Sequence, residues 1–172
     1  MKHRYALAIA ALAVLAVATP ATADTSTLAR AQSWEAFGGT TDTGRGVCGI
    51  SADPGGHYFG VKVFAGNDRF VIQMGTPEWK QLQPQQKVAV TMRFDANREW
   101  NASGVGFRFG DGDMGLQLFV NRSEMDAFSS QFRSSSKLAL GFDDSRLAPW
   151  ILGLEGTALV NSAFQTCVRT LK

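Results

Sequence analysis

Apolar and polar residues alternate along short segments of the chain, and each segment ends at residues typical of turns. The clearest case is an apolar run at residues 58–64, which is followed by Gly66 and Asn67 and then by a second run at 69–74. Alternation with a period of two is typical of a strand with one buried face, and Gly and Asn supply the positive φ that a tight turn requires. The two runs predict a β-hairpin.

Runs of the same kind recur with turn residues between them, at the spacing of about eight to twelve residues found in all-β domains. We expect further strands at 34–37, 47–51, 87–94, 99–103, 105–109, 116–120, 138–142 and 150–154. This pattern predicts a mainly β fold built from antiparallel strands, either a β-sandwich or a sheet closed on itself. The sandwich is the form that we expect.

Two segments in the C-terminal half follow a helical period instead. Met125, Phe128 and Phe132 recur at the spacing of one helix face, and Ser123 is a residue type suited to cap that helix. Apolar side chains also share one face across residues 157–171, which predicts a second helix.

The first 23 residues have the three parts of a secretory signal. Lys2 and Arg4 precede an apolar run at residues 5–17, and small residues at 21–23 come just before Asp24. The apolar run is shorter than the roughly 20 residues of a membrane-spanning helix. We therefore predict that residues 1–23 are a cleaved signal peptide, that 24–172 form a single exported domain, periplasmic or secreted, and that this domain is not stably inserted in a membrane.

Charge argues against a nucleic-acid partner. The chain has 17 basic and 15 acidic residues, and removal of Lys2 and Arg4 with the signal leaves 15 of each. The remaining Lys and Arg residues are scattered singly, whereas a nucleic-acid-binding protein presents a clustered basic surface.

The chain has two cysteines, Cys48 and Cys167. In an oxidising compartment an isolated pair is most simply a disulfide, and a redox pair would have the close C-x-x-C spacing that is absent here. The pair predicts a covalent link between the two ends of the domain.

A catalytic constellation is not recognisable. His57 is the one histidine after residue 23, and no G-x-S-x-G motif accompanies it. Asp143 and Asp144, like the Asp-Gly-Asp at 111–113, fit turns better than a calcium loop. We expect a protein that is not an enzyme and that has no metal and no cofactor, although a pair of carboxylates brought together by folding stays open.

Tryptophan is enriched where proteins recognise partners. Trp79 and Trp100 lie beside charged residues, so we predict that they line a binding surface, with His57 as a third candidate. Trp150 follows a proline and precedes an apolar run, so we expect it in the core.

The order of landmarks resembles a known family. The motif at 34–37 followed by Cys48-Gly-Ile-Ser51, and then Leu154-Glu-Gly156 before the helix that carries Cys167, is similar to the invasion-associated locus B family of exported alphaproteobacterial proteins. The middle of the chain does not match the strands of that family. The resemblance implies a β-rich domain with an envelope or host-interaction role, and it carries over no catalytic residue.

These observations predict a binding or accessory protein of the cell envelope, with another envelope protein, a host protein or a glycan as its partner. The alternative is an inhibitor of a secreted hydrolase such as lysozyme, which would insert a loop at 38–46 or 75–86 into the cleft of the enzyme.

Overall fold

A computed structural model describes residues 23–110 and 112–171 of the chain. The predicted signal peptide, apart from Ala23, lies outside the described residues, as does Asp111 of the predicted turn.

Among the described residues, the chain forms ten strands and two α-helices. They are β1 (Asp24–Ala31), β2 (Trp34–Thr40), β3 (Gly46–Ala52), β4 (Tyr58–Phe64), β5 (Arg69–Gly75), β6 (Lys87–Phe94), β7 (Trp100–Arg108), β8 (Met114–Asn121), α1 (Met125–Ser134), β9 (Lys137–Phe142), β10 (Trp150–Gly153) and α2 (Thr157–Thr170).

All ten strands are antiparallel neighbours in one sheet, in the order β1-β2-β3-β4-β5-β8-β7-β6-β9-β10. The predicted mainly β fold with two helices in the C-terminal half is confirmed. The strands form one continuous sheet instead of two separate sheets. They are continuous because β7 pairs with β6 on one side and with β8 on the other.

The sequence pattern assigns residues 99–103 and 105–109 to two strands, but the structure has the single strand β7 there, from Trp100 to Arg108. Gly104 lies where β7 passes between its two neighbours, and a Cβ atom there would come within 3.2 Å of Val90 and 3.5 Å of Leu116. Glycine is common where a strand bends and another element approaches closely. The sequence pattern therefore divided one strand into two at this glycine.

Two further details differ from the sequence-based expectation. The edge strand β1 is not predicted by the pattern, because most of its side chains are exposed and do not alternate. Ser123 lies within a short 3-10 turn ahead of α1, and neither that turn nor α1 has a side-chain cap, so the predicted capping role of Ser123 is wrong.

The hydrophobic core lies between the inner face of the sheet and the two helices. Alternate residues of the strands, such as Phe59, Val61 and Val63 of β4, point inward and are fully buried. From the helices, Phe132 of α1 and Phe164 of α2 complete the same cluster. This alternation is the one that predicted the strands.

The sheet curls so that its two ends approach each other. Trp34 of β2 donates its indole N–H to the carbonyl oxygen of Gly153 in β10 over 3.0 Å. Gly156, which follows β10, lies against Ala31 of β1 and has a left-handed φ of 86°. The core is thereby enclosed without hydrogen-bonded pairing of β1 with β10.

The predicted disulfide is confirmed. Cys48 of β3 and Cys167 of α2 are bonded, with their Cα atoms 5.9 Å apart. Gly38 of β2 makes room for the bridge, since a Cβ atom at this position would lie 2.7 Å from the sulfur of Cys167. The bond fastens the C-terminal helix to the first half of the sheet.

Candidate functional site: an open slot between two strands

The sheet opens between β7 and β8. The first half of β7 pairs only with β6, and its pairing with β8 covers residues 105–108 against 114–117. β8 continues to Asn121, and it pairs with β5 along this whole length. The two strands therefore diverge on the N-terminal side of Val105 in β7. We call the opening between them the slot.

The slot has a volume of about 850 Å³. This volume is within the range of about 300 to 1,000 Å³ that is usual for ligand sites. Its lining combines two aromatic rings, four amide or hydroxyl side chains and five charged side chains: Trp100, Phe119, Asn101, Ser103, Asn121, Gln131, Arg69, Lys87, Arg98, Glu99 and Glu124. Such a lining suits a polar partner that also offers apolar surface.

Trp100 is held in the slot by α1. Its indole N–H donates to the side-chain oxygen of Gln131 over 2.8 Å, and its ring lies 5.9 Å from that of Phe128, edge to face. Because β7 begins at this residue, the ring occupies the wide end of the slot and is only half-buried. The structure thus places one of the predicted binding residues in a cleft.

Positive charge predominates around the slot. Arg69, Lys87 and Arg98 line it. Of the two carboxylates in the lining, Glu99 lies 3.7 Å from Arg93, which stands outside it. Glu124 is the second carboxylate, so the lining carries three cations and two carboxylates, a small excess of positive charge.

Trp79 and His57 lie together at a different place. Trp79 is only 4% exposed, and its ring stacks on Trp150 at 4.9 Å and meets Phe142 at 5.2 Å. The ring of His57 contacts Trp150 edge to face, with the ring centroids 4.8 Å apart. We call these four residues the closed cluster. Trp79 belongs to the core, as does Trp150, and the binding role predicted for Trp79 and His57 stays a prediction.

The outer face of the sheet has aromatic rings lying on glycines. A Cβ atom at Gly49 would overlap the ring of Phe37, and one at Gly60 would lie 2.4 Å from the hydroxyl oxygen of Tyr58. Burial, together with the charge of Asp53, raises the pKa of Tyr58 to about 12. The glycines therefore allow the rings to lie flat against the strands.

Lys62 and Gln73 are two of the polar residues on this face. Burial lowers the pKa of the Lys62 ammonium. Among the described residues, the side-chain oxygen of Gln73 is the one buried polar side-chain atom for which no hydrogen-bond partner is found. The face is a second surface with buried polar groups, distinct from the slot.

The predicted turn carboxylates serve the local structure. Asp143 accepts a hydrogen bond from the backbone N–H of Ala89 at 2.8 Å. Asp144 accepts hydrogen bonds from Arg146 and Gln86, and the bonds from Arg146 hold the pKa of this carboxyl well below its usual range. In the described part of the chain, no group of three or more His, Cys, Asp or Glu residues is placed to hold a metal ion.

The two segments named for a hydrolase inhibitor are both anchored. In 75–86, Trp79 and Leu82 are buried in the core. In 38–46, the guanidinium of Arg45 donates two hydrogen bonds to the carbonyl oxygen of Ala65, at 2.8 and 2.7 Å. Inhibition stays a prediction, which a lysozyme assay with the oxidised protein would test.

Sequence reasoning missed Phe119, Asn121 and Gln131 as slot residues. A signal for Phe119 was available, because the inward alternation of β8 makes residue 119 an outward-facing aromatic, and it is 47% exposed. No such signal existed for Gln131, whose contact with Trp100 depends on where α1 packs.

Comparisons of the chain with family models, with curated proteins and with solved structures find no match. Within the described residues, no helix is long and apolar enough to cross a membrane.

Proposed function

We propose that this protein is an exported, non-enzymatic binding or accessory protein of the cell envelope, and that the slot is where it engages its partner. The partner is another envelope protein, a host protein or a glycan. The protein acts by contact and does not transform what it binds.

The observation that carries this proposal is the slot itself. Trp100 and Phe119 offer ring surface inside a cleft that also has amide, hydroxyl and charged groups. Exposed aromatic side chains surrounded by polar groups are typical of recognition sites, since they combine apolar contact area with hydrogen bonds at the rim.

The disulfide supports export, because such bonds persist in oxidising compartments such as the periplasm and the extracellular space. The signal-like residues 1–23 agree with this location. The resemblance to the invasion-associated locus B family points in the same direction, toward the envelope or a host surface.

The test is a capture experiment with the oxidised protein, using periplasmic extract, host-cell extract and a glycan array in parallel. Trp100→Ala should lose at least about tenfold in capture, as recognition by a central aromatic residue implies. Ile151→Ala is the matched control, because Ile151 is 73% exposed and lies outside the slot. Equal capture by Trp100→Ala and the wild type, or no capture from any source, would contradict the proposal.

A further inference from the structure

The backbone groups along the slot can be assigned a direction from the hydrogen bonds around it. On β7, the N–H of Gly106 donates to the carbonyl oxygen of Gln86, whereas the N–H of Phe109 donates to the carbonyl oxygen of Asp113 at the start of the hairpin to β8. Successive residues of a strand point their N–H and C=O groups to opposite neighbours. Even-numbered residues of β7 therefore point to β6, and odd-numbered residues point to β8.

The same reasoning applies to β8. The N–H of Arg122 donates to the carbonyl oxygen of Asp68, which precedes β5. The even-numbered residues of β8 thus point to β5, and Phe119 and Asn121 point the other way, into the slot. Both residues lie beyond Gln117, the last residue of β8 that is paired with β7.

The slot therefore contains a stretch of the β8 edge that is not paired with β7, with the N–H groups of Phe119 and Asn121 and the C=O of Phe119 directed into it. The C=O of Asn121 lies at the N-cap of the 3-10 turn that follows β8. β8 is well supported as a template, because it is paired with β5 from Gly115 to Asn121. A polypeptide in extended conformation is the partner that matches such an edge, since its own N–H and C=O groups continue the ladder and its side chains alternate between two faces.

The two faces of an added strand would meet different surroundings. Toward the interior lie Trp100 and the small side chain of Ala102. Toward solvent lie the cations, with Arg69 paired beside Asn121 and Arg98 two residues ahead of Trp100. This arrangement suits a segment in which apolar residues alternate with acidic ones.

We propose that the slot binds an extended, acidic segment of a partner protein, which adds as a strand along the free edge of β8 at Phe119 and Asn121. The inference rests on the proposed function and narrows it from proteins and glycans in general to strand addition by a polypeptide. A glycan occupying the slot is the outcome that would refute it.

The probe is an end-blocked octapeptide of alternating glutamate and valine, added to the isotope-labelled, oxidised protein and followed by amide hydrogen exchange in NMR spectra. Exchange of the Phe119 and Asn121 amides should slow at least about tenfold at saturation, because each gains a partner. The amides of Leu118 and Val120, which point to β5, should not change. The octapeptide with lysine in place of glutamate should bind more weakly, and the difference should shrink as salt is added.

Asn121 also allows a backbone test. Its φ is −60°, the angle that proline requires, and its N–H does not serve the β5 ladder. Asn121→Pro should keep its unfolding midpoint but bind the octapeptide about fivefold more weakly, the effect of one lost hydrogen bond. Asn121→Ala loses the same side chain but keeps the N–H, so it is the reference that should bind the octapeptide more tightly than Asn121→Pro.

The outcomes separate the two proposals. Absence of octapeptide binding up to millimolar concentration, binding without protection of Phe119 and Asn121, or equal affinity in Asn121→Pro and Asn121→Ala would each overturn strand addition. If Trp100→Ala still loses partner capture in that case, the slot remains the binding site. If Trp100→Ala captures normally, the proposed function itself fails.

Discussion

Trp79 and Trp100 look alike in the sequence and differ completely in the fold. Both have charged neighbours along the chain. Trp79 stacks on Trp150 and meets Phe142 edge to face in the closed cluster, while Trp100 makes one hydrogen bond to Gln131 and leaves part of its ring in the slot. The difference teaches that the neighbours in space, fixed by strand order, decide which tryptophan is available to a partner.

Removal of each indole should separate the two roles most strongly. Trp79→Ala should lower the free energy of unfolding by about 3 to 5 kcal/mol, because it empties a packed part of the core. Trp100→Ala should cost about half as much, since its ring is only half-buried. Chemical denaturation of both variants measures this, and equal losses would contradict the comparison.

The disulfide should matter next most. Cys48→Ala combined with Cys167→Ala should lower the free energy of unfolding by about 2 to 5 kcal/mol. The loss should loosen α2 and the helix α1 that packs on it, and through α1 the surroundings of Trp100. Hydrogen exchange should therefore rise more in α1 and α2 than at Trp79. A uniform rise in hydrogen exchange would mean that the slot and the closed cluster depend equally on the disulfide.

Alkaline pH offers a probe on the outer face, beside the closed cluster. Because the pKa of Tyr58 is raised to about 12 from its usual 10, the folded state favours the neutral phenol. This contribution is complete below pH 10 and is lost as the pH rises through 12, roughly 3 kcal/mol in all.

Tyr58→Phe is the matched control, because it keeps the ring over Gly60. Its unfolding free energy should lack the Tyr58-dependent part of the decline between pH 10 and 12. Tyr58 is also the one tyrosine after residue 23, so ultraviolet titration of the processed protein reports on it alone. An ordinary midpoint near 10 would show that the ring is not buried as described.

The smallest expected effect concerns the partner of Trp100. Gln131→Ala removes the acceptor of the indole N–H and should cost about 1 kcal/mol of stability. In protein labelled with fluorotryptophan, the Trp100 resonance should shift while that of Trp79 stays in place. A shift at Trp79 as well would show that the two regions are coupled.

Local features of the fold were predictable from the sequence. The hairpin of β4 and β5 followed from alternation and from Gly66, and α2 followed from its helical period. The disulfide followed from cysteine count and spacing. Each of these depends on residues close in the chain or on chemistry that only two residues share.

The features that make the slot were not predictable. They require β8 to lie between β5 and β7, an order that no local pattern specifies. Gly104 shows the limit well, because this glycine separates the two strands of the sequence pattern but lies inside the single strand β7. The burial of Trp79 depends likewise on β10, which is distant in the chain.

The Cys48–Cys167 bond has a mechanical consequence. The two residues are 119 positions apart, so a pulling force applied between residues 23 and 171 passes through the bond and bypasses everything between them. Such a force can detach β1 and β2 from the sheet and unwind the last residues of α2. The rest of the sheet, including the slot, bears no load. A chain held at one end and pulled at the other would therefore keep the slot in shape.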